Sequence, residues 1–287
     1  MPKIGTVGYV EHSVKQNHFQ IKKRFGQNFL TDSHILEKIV EASEVTKKDA
    51  VIEIGPGLGA LTEVLCEQAG FVLAYEIDKD LLPILEQNLK AFSNYKILNQ
   101  DILKANILSD ISLYLEKYNT IYLVANLPYY ITTPILTGLL SQKLPISRYV
   151  MMMQLEVADR ICGKPSTKDY NALSLWIEYR ALAKKIMKVP RTVFIPSPNV
   201  DSAVVRLDVY KDPPMYCENE RALFFVIQGA FAQRRKTLEN NLSLKYDKKF
   251  VQNMLLSLGL SLKCRAEELT LSDFIKITDY ITHNMDK

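Results

Sequence analysis

An amide, a proline and two aromatics follow one another at Asn126-Leu127-Pro128-Tyr129-Tyr130, directly after the apolar run Ile121-Tyr122-Leu123-Val124-Ala125. The amide offers a carbonyl acceptor and an NH2 donor without charge. The proline fixes the backbone, and the aromatic faces suit a base or a cation. The apolar run reads as a buried strand of a parallel sheet, which would put this chemistry at a strand's carboxyl end, where α/β proteins bind ligands. A strand-end turn with ordinary core aromatics would use the same residues, so the other strand ends decide. Gly55-Pro56-Gly57-Leu58-Gly59 closes the strand Val51–Ile54 and opens a helix carrying Leu61, Val64 and Leu65. Glycines there let backbone approach a ligand closely. The second strand, Phe71–Tyr75, ends at Glu76, 21 positions after Gly55, a spacing at which an acidic side chain accepts hydrogen bonds from a ribose. The third, Tyr95–Asn99, ends in Gln100-Asp101. Glu76, Asp101 and Asn126 are thus offered to one crevice. Gly55-x-Gly57-x-x-Ala60 also satisfies the looser dinucleotide fingerprint, which makes a nicotinamide oxidoreductase the competing reading. Against it, neither a Tyr-x-x-x-Lys nor a His–Asp pair stands out as a proton relay. It also leaves Asn126–Tyr129 without a role.

The elements that must position these residues alternate between strand and helix at the spacing of βαβ units, which predicts a parallel sheet with right-handed crossovers. Thr31-Asp32-Ser33 is a cap signal for a helix with Ile35, Leu36, Ile39 and Val40 on one face. Arg148–Met153 reads as a further core strand, Trp176 as a core anchor with Leu173 and Ile177, and the alternating Ser202–Leu207 as the last strand of the sheet. Lys211-Asp212-Pro213-Pro214 marks a boundary. Helical patterns follow over 222–232, 238–244, 250–258 and 271–281. The expected organisation is a polar, basic arm over 1–24 that ends in Lys22-Lys23-Arg24, an α/β domain over 25–210 and a small all-α domain over 211–287.

Composition narrows the class. With 287 residues and 47% hydrophobic content the chain can bury a sizeable core. No apolar run approaches the ~20 residues of a membrane span, and the N-terminus lacks the apolar centre of a signal peptide. Cys66, Cys162, Cys217 and Cys264 lie far apart with no CxxC pair, and the four histidines add no ligand spacing. Reduced thiols, a cytoplasmic location and no metal are therefore expected. The net charge of +4 is unevenly spread: 1–24 carry five Lys/Arg against Glu11 alone, 25–139 eight against fifteen acidic residues, and 140–210 eleven against six. Basic flanks could hold a polyanion and the acidic block a small cation.

With these residues in place, Glu53-Ile54-Gly55-Pro56-Gly57-Leu58-Gly59, Glu76, Asp101 and Asn126-Leu127-Pro128-Tyr129 resemble a class I S-adenosylmethionine (SAM)-dependent methyltransferase acting on an exocyclic amine. Together with Gln27-Asn28-Phe29-Leu30, Phe194-Ile195-Pro196-Ser197-Pro198-Asn199-Val200-Asp201-Ser202 and Phe231-Ala232-Gln233-Arg234-Arg235-Lys236-Thr237-Leu238, they are similar to the KsgA family, the small-subunit rRNA adenine dimethyltransferases. The likeness runs over roughly 20–285; Pro165-Ser166-Thr167-Lys168 and Asn199 depart from the family pattern. It implies a Rossmann-like, mostly parallel seven-stranded sheet with a small all-α C-terminal domain. It further implies SAM as methyl donor, held by Asn28, Leu30, Gly55, Gly57, Glu76, Asp101 and Asn126. Asn126, Leu127, Pro128, Tyr129 and Phe194 would carry the chemistry, with Tyr129 and Phe194 stacking on the target adenine. Lys22, Lys23, Arg24, Arg234, Arg235 and Lys236 would bind rRNA. The implied partner is the small ribosomal subunit with its 16S rRNA, met by a monomer with no membrane involved. The implied reaction dimethylates two adjacent adenosines near the 3′ end of that RNA. A large-subunit resistance methyltransferase and a non-catalytic assembly factor are the alternatives.

Overall fold

Short apolar runs bounded by turn residues become the strands of the computed structural model, which describes residues 4–16, 19–22 and 25–285. In chain order they are Phe29–Leu30 (β1), Ala50–Ile54 (β2), Phe71–Tyr75 (β3), Tyr95–Leu98 (β4), Ile121–Asn126 (β5), Arg148–Gln154 (β6), Ala181–Val189 (β7), Phe194–Ile195 (β8) and Ser202–Val209 (β9). Seven form one sheet in the order β4-β3-β2-β5-β6-β9-β7, and β1 pairs with β8 in a separate ribbon. From β4 to β6 every pairing is parallel, whereas β9 runs antiparallel to β6. The interior strand β2 is buried at all five positions, as a strand covered on both faces must be.

Register is what gathers the site. Ile54 lies opposite Tyr75 on one side and Ala125 on the other. The residues that follow these three in the chain, Gly55, Glu76 and Asn126, therefore leave the sheet side by side at one edge. The reversal of strand order between β2's two neighbours opens the crevice there.

The helices are Val7–Gln16 (α1), Ser33–Ser43 (α2), Ala60–Gln68 (α3), Leu82–Asn88 (α4), Ile107–Tyr114 (α5), Thr132–Ser141 (α6), Leu155–Ile161 (α7), Ala172–Glu178 (α8), Glu220–Ala230 (α9), Leu238–Leu242 (α10), Lys248–Ser257 (α11) and Leu271–Met285 (α12). Asp32 caps α2 as its sequence signals, accepting from the backbone of His34 and Ile35. One apolar cluster joins α2 and α3 to the sheet through Leu36, Ile39, Leu65, Val124 and Val204. Another, in the C-terminal region, is built on Leu223, Ile227, Leu242, Met254 and Phe274.

Three expectations are corrected. The segment before residue 25 is not simply a polar arm: α1 forms there, and Val10 and Phe19 are buried with Phe29, Leu58 and Leu85. Ser202–Val209 closes the chain's strand order but not the sheet. The edge is β7, whose exposed Lys184, Lys185 and Lys188 hide its apolar signal. The boundary at 210 is too simple as well. The chain divides into one unit of Met1–Ala158 with Lys184–Val209 and a second of Asp159–Ala183 with Tyr210–Lys287. Tyr170, Leu175 and Tyr179 bury themselves in the helical unit's core, and the Arg180 guanidinium there lies 4.6 and 4.5 Å from the Trp176 and Phe224 rings, which are tilted 55° to one another. A local pattern cannot reveal which distant core claims a helix.

Candidate active site

A cleft of about 1200 Å³, counting its open mouth, lies over the carboxyl ends of β2, β3 and β5. Nearly all the cofactor and catalytic residues expected from sequence line it: Asn28, Leu30, Gly55, Gly57, Glu76, Asp101, Asn126, Leu127, Pro128 and Tyr129. Its floor is the turn after β2. Gly55 has φ +69°, and a Cβ built on it would meet nothing within 4 Å. The conformation, rather than crowding, asks for glycine there, and the open space beside it is room for a ligand. Gly57 has φ +61° and stands 3.2 Å, measured from such a Cβ, off the Phe29 ring.

Glu76 is 4% exposed. Its carboxylate accepts from the backbone N–H of Asp78 at 2.8 Å and of Gly57 at 3.3 Å, which fixes its direction. Burial outweighs those bonds and pushes its pKa up to about 7. Asp101 accepts from the Leu103 N–H at 3.0 Å and stands partly exposed on the same wall. Sequence reading passed over one further acid. Glu53, the penultimate residue of β2, lines the cleft and is 1% exposed. Burial, reinforced by the nearby Glu76, lifts its pKa to about 8, and its Oε2 meets no donor among the described residues. The signal was present: a carboxylate inside the apolar run Val51–Ile54 is costly unless something answers it.

On the opposite wall Asn126 ends β5, and its Nδ2 donates to the Asn28 carbonyl at 3.4 Å. With the NH2 so directed, the side-chain oxygen is the atom left to accept from a ligand. The Leu127 side chain is buried, and its N–H donates to the Met152 carbonyl at 3.1 Å. No donor among the described residues reaches the Leu127 carbonyl. Pro128 holds this carbonyl's direction, while its own oxygen takes the Ile131 N–H at 3.2 Å and the Thr132 hydroxyl at 3.0 Å. The Tyr129 hydroxyl shares a 2.5 Å hydrogen bond with that of Ser202, so the last residue of the Phe194–Ser202 motif holds an aromatic of the cleft. Burial raises the Tyr129 pKa, and the phenol stays neutral.

Phe194 does not stand where a stacking partner must. It is 3% exposed and packed in the apolar cluster with Val189 and Val204. Phe194 pairs with Leu30 in the β1–β8 ribbon. Its ring braces β1, and so the Leu30 side of the cleft, from behind. The expected RNA cations also divide. Lys23 and Arg24 lie outside the described residues. Lys22 is bound to Asp78 and Asp80, each at 2.5 Å. Arg234 donates to Glu267 at 3.4 Å and to the Lys168 carbonyl. Arg235 and Lys236 are exposed. Among the described residues no group of three His, Cys, Asp or Glu side chains could hold a metal, and no helix is long and apolar enough to cross a membrane.

A mostly parallel seven-stranded sheet, with a glycine turn and acidic strand ends at its switch point, defines a class I SAM-dependent methyltransferase. The open backbone at Gly55, with the Glu76 and Asp101 side chains on the cleft wall, fits a ligand of SAM's kind, and the unanswered Glu53 oxygen leaves a polar atom beneath it. A model of the ribosomal RNA adenine dimethylase family matches residues 18–283, and the chain belongs to that family. Relatives include the ribosomal RNA small subunit methyltransferase A of Geobacillus sp. (strain WCH70), 47% identical over 98% of both chains. That of Bacillus cytotoxicus is 44% identical over 99% of this chain and all of its own. A crystal structure of a dimethyladenosine transferase from Plasmodium falciparum shares the fold at TM-score 0.75 and 24% identity, covering 88% of this chain and 97% of that one. The 23S rRNA methyltransferase ErmE is similar at TM-score 0.67 and 26% identity, over 88% and 99%.

Proposed function

We propose that this enzyme dimethylates the N6 amines of two adjacent adenosines near the 3′ end of 16S rRNA, working as a monomer on the small ribosomal subunit during its assembly in the cytoplasm. The observation that carries the reading is the end of β5. There an uncharged amide and the open Leu127 carbonyl sit across the cleft from buried acids.

When bound, SAM supplies a methyl group activated by a sulfonium. The acidic wall favours that positive charge. Glu76 accepts from the ribose hydroxyls, a charge-assisted and hence stronger bond. Asp101 would hold the cofactor's adenine, and Gly55 and Asn28 its methionine part, with Gly57 in the same turn and Leu30 giving the pocket an apolar side. The target adenine must leave its stack, which costs roughly a few kcal/mol. Stacking on Tyr129 offsets about 1–3 kcal/mol of this.

An adenine amine is a weak nucleophile because its lone pair is spread into the ring. Asn126 Oδ1 and the Leu127 carbonyl accept its two N–H bonds and hold the nitrogen in a more tetrahedral, localised form. Neither group takes a proton at pH 7, so the proton passes to water after the new N–C bond has formed. The Tyr129 face steadies the transient positive charge by ~0.5–2 kcal/mol. Positioning of the two reactants supplies much of the remaining acceleration. A singly methylated amine keeps one N–H and needs only one of the two acceptors, which leaves room for a second transfer. Arg235 and Lys236 contact phosphates of the RNA.

The likeness to a 23S rRNA methyltransferase at 26% identity keeps a large-subunit substrate as the second reading. Labelled SAM offered with unmethylated small or large subunits, followed by mapping of the modified nucleotide, separates the two. Asn126→Ala should lower the rate on small subunits about a hundredfold or more while changing S-adenosylhomocysteine affinity less than about threefold. An unchanged rate would remove Asn126 from the chemistry.

A further inference from the structure

The lysine that the sequence offers to RNA is turned inward. Lys22 is only 22% exposed, and its ammonium sits 2.5 Å from Asp78 Oδ1 and 2.5 Å from Asp80 Oδ2. Asp78 is 1% exposed, and a carboxylate taken out of water needs its charge answered. Lys22 answers it at one oxygen, and the Gln27 amide donates to the other at 2.8 Å. The Gln27 carbonyl in turn accepts the Lys22 backbone N–H at 2.7 Å, so the two residues close their own loop while both hold Asp78. The Asp78 bond is the chief reason the Lys22 pKa is raised.

What lies on either side of this knot gives it a purpose. Gln27 precedes Asn28, whose carbonyl takes the Asn126 amide. Asp78 follows Glu76 by two residues, and its N–H is one of the two donors that aim the Glu76 carboxylate. The cluster therefore joins the loop on one wall of the cleft to the turn on the other.

We propose that Lys22 is a positioning residue for cofactor binding: by bridging Asp78 and Asp80 it ties the Gln27-Asn28 loop to the Glu76 turn, and it contributes to SAM affinity rather than to rRNA affinity. This rests on the reading of the cleft as the SAM site, and the wild-type protein tests that reading separately. If wild type fails to bind S-adenosylhomocysteine in calorimetry, the cleft assignment itself falls.

The test compares Lys22→Met and Lys22→Arg with wild type in two binding assays. One is calorimetry with S-adenosylhomocysteine. The other is sedimentation with small subunits across a salt series. Thermal melting confirms that each variant is folded. Lys22→Met should weaken S-adenosylhomocysteine roughly tenfold, the size of effect seen when one member of a coupled charged network is removed. The KM for SAM should rise by the same factor with kcat nearly kept, and Lys22→Arg should restore most of the loss. Subunit affinity and its salt slope should not move. Because Lys22→Met strands a buried carboxylate, the double variant Lys22→Met/Asp78→Asn provides a second arm. With no charge left to answer, it should melt above the single variant yet still bind S-adenosylhomocysteine more weakly than wild type. Unchanged S-adenosylhomocysteine affinity in both variants would overturn the proposal, as would a loss of subunit affinity with a salt slope smaller by about one charge.

Discussion

Acidity at Glu76 should be readable in how tightly the cofactor product binds. Burial holds this carboxyl at a pKa of about 7, and a ribose hydroxyl is best held by the ionised form. With that pKa, about 9% of the groups are ionised at pH 6 and about 91% at pH 8. If binding requires the carboxylate, S-adenosylhomocysteine affinity should rise about tenfold between those pH values, equivalent to about 1.4 kcal/mol. Near pH 7 each binding event should release about half a proton, which calorimetry in two buffers of different ionisation enthalpy counts directly. Glu53, whose pKa is lifted to about 8, titrates close by, so the variant series must include both acids. Glu76→Gln should flatten the dependence and weaken binding, while Glu53→Gln should leave the part centred near pH 7 in place. An affinity independent of pH, with no proton released, would refute the assignment of Glu76 to the ribose. So would a slope that survives in Glu76→Gln.

The same two carboxyls set a stability profile. Both are raised in the fold, so between their ordinary value and about 7 to 8 the folded chain binds more protons than the unfolded one. Their contribution is complete below about pH 4.5 and is lost as pH rises through the folded values. The cofactor-free protein should thus lose on the order of a few kcal/mol from this source between pH 5 and 8, seen as a falling denaturant midpoint that Glu53→Gln moderates. Phe194→Ala should act on stability before chemistry, because its ring is core: about 3–5 kcal/mol by denaturant unfolding, with Phe194→Leu keeping most of the methyl transfer at saturating substrates. Arg235→Ala and Lys236→Ala should each reduce the salt slope of small-subunit binding by about one and leave S-adenosylhomocysteine calorimetry unchanged.

Local chemistry was legible where it coincides with a strand end. Gly55, Glu76, Asp101 and Asn126 could be placed in one crevice because period, turn residues and parallel pairing together fix where a strand's last side chain goes. Asp32 could be named as a cap for the same reason: its partners are two and three residues away. Most of the losses were long-range. Lys22 reads as one cation in a basic run until Asp78 and Asp80 are brought beside it from more than fifty positions away. Phe194 reads as a presented aromatic until the β1–β8 pairing turns it into the core. The lysine-rich β7 carries too little alternation to be seen as a strand. Glu53 was visible but silent, because its unusual state comes from burial and not from its neighbours in sequence.

The place of β9 has a consequence for how the molecule is made. β6 and β7 are consecutive strands, yet β9 separates them, and its register with β6 runs from Arg148 opposite Asp208 to Gln154 opposite Ser202. During synthesis the growing sheet must therefore wait with β6 as an open edge for more than fifty residues, until the chain through Val209 has emerged. The strand that arrives first, β7, exposes Lys184, Lys185 and Lys188, and lysines are what natural sheets place on strands that must not pair wrongly. The charges that obscure β7 in the sequence are thus those of the strand that ends as the sheet's open edge.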